Sequence, residues 1–235
     1  MKPLSIVIFG TTGMIGTGVL RECLLDPEVG RVLVIGRTPI GQTHDKLKEI
    51  VLKDLTDYSA VAADLAGLDA CFFCLGVSAA GMKEADYSRI TYDVTLAAAR
   101  ALIAQNKDMT FIYVSGAGTD STEKGRSMWA RVKGRTENAL LGLGFKSAVM
   151  FRPGYIQPMH GARSKTAMYR RMYAVVAPLY PVWRLMFGKH ITNTESLAKA
   201  MLEVAKRGSP KPILSTKDIE LIARAAPKSA SAAAS

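Results

Sequence analysis

The sequence predicts an α/β domain built on a doubly wound parallel sheet with helices on both faces. Three observations predict it. Short apolar runs alternate along the chain with stretches of helical periodicity. Those runs are apolar on both faces, as strands covered on both sides must be. The first run also leads directly into a glycine-spaced turn and a helix.

The elements follow in order. LSIVIF, from Leu4 to Phe9, is the first strand. Met14 to Leu25 reads as a helix, stopped by Asp26-Pro27. RVLVIG, from Arg31 to Gly36, is the second strand. Ile50-Val51-Leu52 is a short third strand, and Tyr58 to Ala66 fits a helix. ACFFCLG supplies the fourth strand, and a long helix spans Ala85 to Gln105. TFIYVSG is the fifth strand and FKSAVMFRPG the sixth. Between them lies a helix from Arg126 to Leu143, ended by Gly144. KPILSTKDIELI closes the pattern. Residues 1–225 therefore form one domain, with 154–212 contributing a small C-terminal lobe over the carboxyl ends of the strands. Residues 226–235, small and patternless, read as a loose tail.

Composition narrows the function classes. Of 235 residues, 49% are hydrophobic, which supports a sizeable core and excludes a disordered chain. No stretch offers about 20 uninterrupted apolar residues, and the opening run, too short to span a membrane and followed by a glycine loop, is not read as a signal peptide, so a cytoplasmic protein is expected. The net charge of +11 favours anionic partners. No nucleic-acid-binding signature accompanies it. Cys71 and Cys74 form a CxxC, but they lie on a buried strand where such residues face opposite sides, and His44, His160 and His190 are scattered. Cys23, Cys71 and Cys74 are read as core, with no metal.

The strongest motif is FGTTGMIGTGV. Gly10 permits the tight turn, Gly13 lets backbone approach a pyrophosphate, and Gly16 lets helix pack on strand. The helix N-terminus then offers N–H groups and partial positive charge to phosphates. Thr12, Met14 and Ile15 flank this turn, and Leu75-Gly76 ends the fourth strand beside it. The second strand ends Ile35-Gly36-Arg37-Thr38. Arginine stands where an NAD-binding sheet carries a carboxylate for the ribose 2′-OH. A guanidinium pairs with a 2′-phosphate, so NADP(H) is expected ahead of NAD(H). Asp54-Leu55 follows the third strand. Asp54 either accepts from the adenine amino group or caps the next turn.

GTTGMIG, VIGR, CFFCLG, YVSGAG, VKGRTE and FRPG together resemble the short-chain dehydrogenase/reductase superfamily. More narrowly, they are similar to its atypical, epimerase-like NAD(P)H-binding branch, related to the Tat-interacting-protein oxidoreductases and nitrogen-regulator-like proteins. The resemblance spans about Leu4 to Ile222. It implies a Rossmann-like fold and a catalytic set of tyrosine and lysine four residues apart on one helix face, with a strand serine. Lys133 matches the lysine and Ser115 the serine, but Trp129 stands where the tyrosine belongs. Indole has one N–H donor and no accessible pKa, so it can hold a carbonyl but cannot supply its proton. Tyr155 is the first candidate replacement, followed by Tyr87 and Tyr92. Arg152-Pro153-Gly154 matches the family's turn near the nicotinamide.

The expected activity is NADPH-dependent oxidoreduction of a small carbonyl or related acceptor. The alternative is a non-catalytic NADP(H)-binding sensor that acts on a partner protein. Sugar-nucleotide epimerisation suits the missing tyrosine no better. A basic aromatic segment, Met168 to Lys189, reads as a substrate lid or core. Pro178 and Pro181 argue against peripheral membrane contact there.

Overall fold

The computed structural model describes residues 2–162 and 191–226. Among these residues, seven strands form one parallel sheet in the order β3-β2-β1-β4-β5-β6-β9. The strands are β1 (Leu4–Phe9), β2 (Val29–Gly36), β3 (Leu47–Val51), β4 (Ala70–Phe73), β5 (Thr110–Val114), β6 (Ser147–Arg152) and β9 (Ile213–Ser215). A separate pair joins β7 (Tyr155–Gln157) to β8 (Ile191–Asn193), also in parallel. This is the expected doubly wound, Rossmann-like sheet.

Strand alternation sorts the core into two layers. Ile6 and Ile8 face one side, with Val19, Leu20 and Cys23 of helix α1 (Met14–Leu25). Leu197, Ala198 and Met201 of α5 (Thr194–Arg207) and Ile219 of α6 (Thr216–Ala225) complete that layer. Val7 and Phe9 face the other side. They meet Val61 and Leu65 of a 3-10 turn, Ser59–Leu65, Ala98 and Leu102 of α3 (Val94–Gln105), and Leu140 of α4 (Met128–Leu141). Each large apolar side chain buried this way stabilises by roughly 1.5–3 kcal/mol, which holds helices to both faces.

Several boundaries differ from the sequence reading. β3 begins at Leu47 rather than Ile50, because Lys48 and Glu49 sit on an edge strand that tolerates charge. The long helix is three pieces: α2 (Glu84–Ser88), a π-helical turn (Arg89–Asp93) and α3. Cys74 lies just past β4, so the cysteine pair is split between strand and loop. All three cysteines are free thiols; Cys23 and Cys71 are buried and Cys74 is partly exposed.

The stretch read as a small lobe divides in two. Residues 163–190, which hold the whole of the basic aromatic segment, lie outside the described residues. After them the chain returns to the main sheet, since α5 packs its apolar face beside α1. The Asn193 side chain caps α5 by accepting from Ser196 N at 2.7 Å, and Gly208 ends it at φ +84°. Contact between the two helices is close: a Cβ on Gly18 would lie 2.8 Å from Thr194 Cβ. Of the expected tail, residues 227–235 also lie outside the described residues.

Candidate functional site

The strands of the main sheet run parallel, so their carboxyl ends share one edge. Phe9 aligns with Ile35 on one side and Phe73 on the other, and Phe73 with Tyr113. Chain order reverses between β1 and β4, and sheets of this kind open a crevice at that reversal. Three cavities line up along this edge and share wall residues.

The glycine turn forms the floor. Gly10 has φ +83°, and a Cβ there would sit 2.6 Å from Leu75 N. A Cβ on Gly16 would sit 2.2 Å from Gly10 O. Both glycines are therefore required by the protein's own packing. Gly13 is different: an added Cβ would meet only Gly10 O, at 3.3 Å, and would otherwise point into open space. Gly13 is also the N-cap of α1, which lacks a side-chain cap and carries no acidic residue in its first turn. An uncapped helix end with bare backbone above it has the donors and the room that a diphosphate needs. Thr17 stiffens the turn, since its hydroxyl donates to Thr11 O and Gly13 O at 2.9 and 2.8 Å.

On one side of the floor, a cavity of about 430 Å³ runs between Gly10–Gly13, Gly36–Thr38, Leu55 and Cys74–Val77. Arg37 and Thr38 are exposed at its rim. Leu55, which is buried, forms part of its wall. Asp54 does not line it. The Asp54 carboxylate accepts from Thr56 N at 2.8 Å and Thr56 Oγ1 at 2.7 Å, the turn-capping role, and these bonds hold its pKa below the usual carboxylate value.

On the other side, a cavity of about 260 Å³ is lined by Gly13, Met14, Ile15, Cys74–Ser78, Val114, Ser115 and Lys133. Lys133 projects from α4 beneath the end of β5. Its Nζ donates to Ser115 O at 2.7 Å and lies 3.4 Å from Val114 O. The Tyr113 ring centroid is 5.6 Å away. Burial pulls the Lys133 pKa down to about 8, partly countered by the Glu137 carboxylate.

Ser115 makes an unexpected commitment. Its hydroxyl donates to Glu137 Oε1 at 2.5 Å, with Phe151 O at 3.2 Å. The Glu137 side chain is fully buried and forms a two-pronged pair with Arg152, whose Nε lies 3.1 Å from both carboxylate oxygens. Arg152 also donates to Ser121 Oγ at 2.5 Å. Sequence reasoning passed over Glu137. The available signal was its place four residues after Lys133, on the same helix face.

A third cavity, of about 500 Å³, opens beside Lys133. Its walls are Val77, Ser78, Ala79, Ala80, Tyr87, Met128, Trp129 and Lys133. The Trp129 indole leans over Gly118, where a Cβ would touch it at 3.4 Å and φ is +89°. Tyr87 is almost wholly buried in the wall, at 1% exposure. Tyr155 lines none of these three cavities, and its hydroxyl donates to Gln157 Oε1 at 2.8 Å. Tyr92 lies under Arg135, 4.4 Å from guanidinium carbon to ring centroid. Pro153 and Gly154 tie the turn after β6 into the protein: Pro153 O accepts from Ala117 N, and Gly154 N donates to Thr216 Oγ1, both at 2.8 Å. Arg152, Pro153 and Gly154 thus support the strand end rather than line these cavities.

Comparison with known proteins agrees with this geometry. Relatives include protein fmp52, mitochondrial, of Emericella nidulans, which is 30% identical over 159 residues covering 65% of this chain and 66% of the relative. FMP52, mitochondrial, of Saccharomyces cerevisiae is 29% identical over 163 residues, 68% of each chain. The mitochondrial designation of these relatives overturns the cytoplasmic expectation; the lack of a long apolar run reports on membrane spanning, not on compartment. Among solved structures, a short chain dehydrogenases/reductase from Saccharomyces cerevisiae superposes with a TM-score of 0.64 at 16% identity, covering 95% of this chain and 100% of that one. WbmF of Bordetella bronchiseptica, in complex with NAD+, gives 0.66 at 14% identity over 95% and 77%. These two share the fold. Residues 6–125, from β1 through the loop after β5, match the NAD dependent epimerase/dehydratase family model. With the glycine turn, the strand order and the lysine helix in place, the chain belongs to the NAD dependent epimerase/dehydratase family, and its resemblance to the atypical short-chain dehydrogenase/reductases holds.

Proposed function

We propose that this protein binds NADP(H) in preference to NAD(H) and uses it to reduce a small carbonyl compound or related acceptor. The observation that carries the reading is the open backbone at Gly13, set on an uncapped helix N-terminus between two cavities. One cavity leads to Arg37 and the other to Lys133. A dinucleotide has that shape: a central diphosphate with an adenosine arm and a nicotinamide arm.

Each residue then has a physical task. Backbone N–H groups of the turn meet the diphosphate where the α1 dipole favours negative charge. Arg37 pairs with the 2′-phosphate, and Leu55 supports the adenine. Lys133 reaches the nicotinamide ribose. The bound dinucleotide supplies a hydride equivalent, which no side chain of the protein can do. The acceptor lies in the cavity walled by Trp129, Met128, Val77, Ala79 and Ala80, which is apolar apart from Ser78, Tyr87 and Lys133 among the described residues. Among the described residues this wall carries no arginine, which suits an uncharged acceptor.

A second reading has its own support. The Ser115 hydroxyl donates its hydrogen bond to Glu137, and the Trp129 indole N–H is not acidic, so two of the three usual catalytic groups are disarmed. On this reading the protein is an NADP(H)-binding sensor whose loaded state is read by a partner protein. NADPH consumption across a panel of carbonyls, quinones and flavins separates the two. Turnover supports the enzyme, and tight NADPH binding without turnover supports the sensor.

A further inference from the structure

Building on the oxidoreductase reading, we propose that Lys133 is itself the proton donor to the acceptor, in place of the tyrosine that Trp129 displaces. The first ground is position. Lys133 lines both the cavity assigned to the nicotinamide arm and the cavity assigned to the acceptor. Among the described residues lining those two cavities, it is the one group shared by both that can give up a proton near neutral pH.

The second ground is the commitment of its neighbours. The Ser115 hydroxyl points at the Glu137 carboxylate, which Arg152 fixes in place. Tyr155 donates to Gln157 outside these cavities. Tyr87 borders the acceptor cavity but is 1% exposed. Lys133, by contrast, opens onto both cavities. Its Nζ is held by Ser115 O at 2.7 Å with Val114 O at 3.4 Å, and an ammonium carries a third N–H.

The third ground is the electrostatic surroundings. Glu137 faces Lys133 from the next turn of α4, but its charge is engaged by Arg152. From β5 comes the neutral Tyr113 ring, and from α2 the Tyr87 phenol borders the same cavity. No described carboxylate forms an ion pair with Nζ to hold its proton. Burial therefore dominates and brings the ammonium pKa to about 8, which makes it an acid suited to neutral pH.

The step balances. A bound reduced nicotinamide dinucleotide would supply the hydride equivalent to the acceptor carbon, with the carbon–oxygen π pair moving onto oxygen. The Nζ–H bond breaks and an O–H bond forms, with the electron pair of the broken bond left on nitrogen. The neutral amine then recovers a proton from water. The donor is competent below its pKa and is lost as pH rises through about 8, so reduction falls about tenfold per pH unit above that.

The direct test needs no turnover. Competitive acetylation of the full chain between about pH 6 and about pH 11, quantified by mass spectrometry, reports the Lys133 titration. A midpoint near 8 is expected, and one near the ordinary lysine value overturns the proposal. In turnover, Lys133→Ala should lose at least about 100-fold and be rescued by added alkylamines, with a rate that depends on amine pKa. A Tyr87→Phe protein that binds NADPH but no longer reduces the acceptor places the proton on Tyr87 and refutes the assignment. Rescue independent of amine pKa refutes it as well. If the parent protein binds NADPH yet reduces no acceptor, the oxidoreductase reading falls and takes this proposal with it.

Discussion

Replacing Gly13 by alanine separates coenzyme binding from folding. Gly13 adopts φ −95° and ψ 164°, which alanine accepts without strain. Its new Cβ would meet only Gly10 O at 3.3 Å, a contact relieved by a shift of a few tenths of an ångström. The remaining cost is a poorer N-cap, about 1 kcal/mol, or a fall in Tm of roughly 2–4 °C for a chain of this size. Binding should suffer far more. The methyl occupies the space that the diphosphate would enter and pushes it off the helix end. Hydrogen bonds to a charged group contribute about 1.5–3 kcal/mol each, so losing two weakens NADPH binding by at least about 100-fold. Gly16→Ala should behave in the opposite order. Its Cβ would sit 2.2 Å from Gly10 O and 2.8 Å from Thr11 Cα, so backbone must move and the fold itself loses about 1–3 kcal/mol or more. Thermal melts with and without NADPH read both quantities. A Gly13→Ala protein that melts normally and is still protected by NADPH like the parent would refute the assignment of this turn to the diphosphate.

Other perturbations test separate parts of the account. Arg37→Ser should weaken NADPH about tenfold and leave NADH within about twofold, measured by nicotinamide fluorescence, because only the former carries the phosphate that Arg37 pairs with. Glu137→Ala strands the Arg152 guanidinium and the Ser115 hydroxyl; a broken buried pair costs about 3–5 kcal/mol, visible as a large drop in Tm or loss of soluble protein. The buried Tyr58 hydroxyl has no hydrogen-bond partner among the described residues, so Tyr58→Phe should leave stability unchanged or raise it by about 1 kcal/mol in a urea melt.

Local chemistry was legible in the sequence, and distant pairing was not. The β1 turn could be read because three glycines sit within seven residues, each with its own steric reason. Lys133 could be read because the family resemblance carries its lysine onto that position, with Trp129 one helical turn before it. Glu137 could not be weighed from the sequence alone, since its importance comes from Arg152 and Ser115, which arrive from β6 and from the end of β5. The same holds for β7 and β8, whose pairing joins residues on either side of 163–190. The break in the long helix left no trace in the apolar pattern, because a π-helical turn adds one residue without ending the buried stripe. Helix α5 lies beyond Gly154, where the strand–helix alternation that marks the other elements of the sheet is lost. In the structure it buries Leu197, Met201 and Val204 like any other helix of the sheet.

The central claim is that the edge formed by the β1 turn, Arg37 and Lys133 is a site for a phosphorylated nicotinamide dinucleotide. Calorimetric titration of the full chain with NADPH, and separately with NADH, measures it most directly. The account predicts saturable one-to-one binding of NADPH, about tenfold tighter than NADH. No heat with either dinucleotide would contradict it outright, and equal affinity for both would remove the role assigned to Arg37.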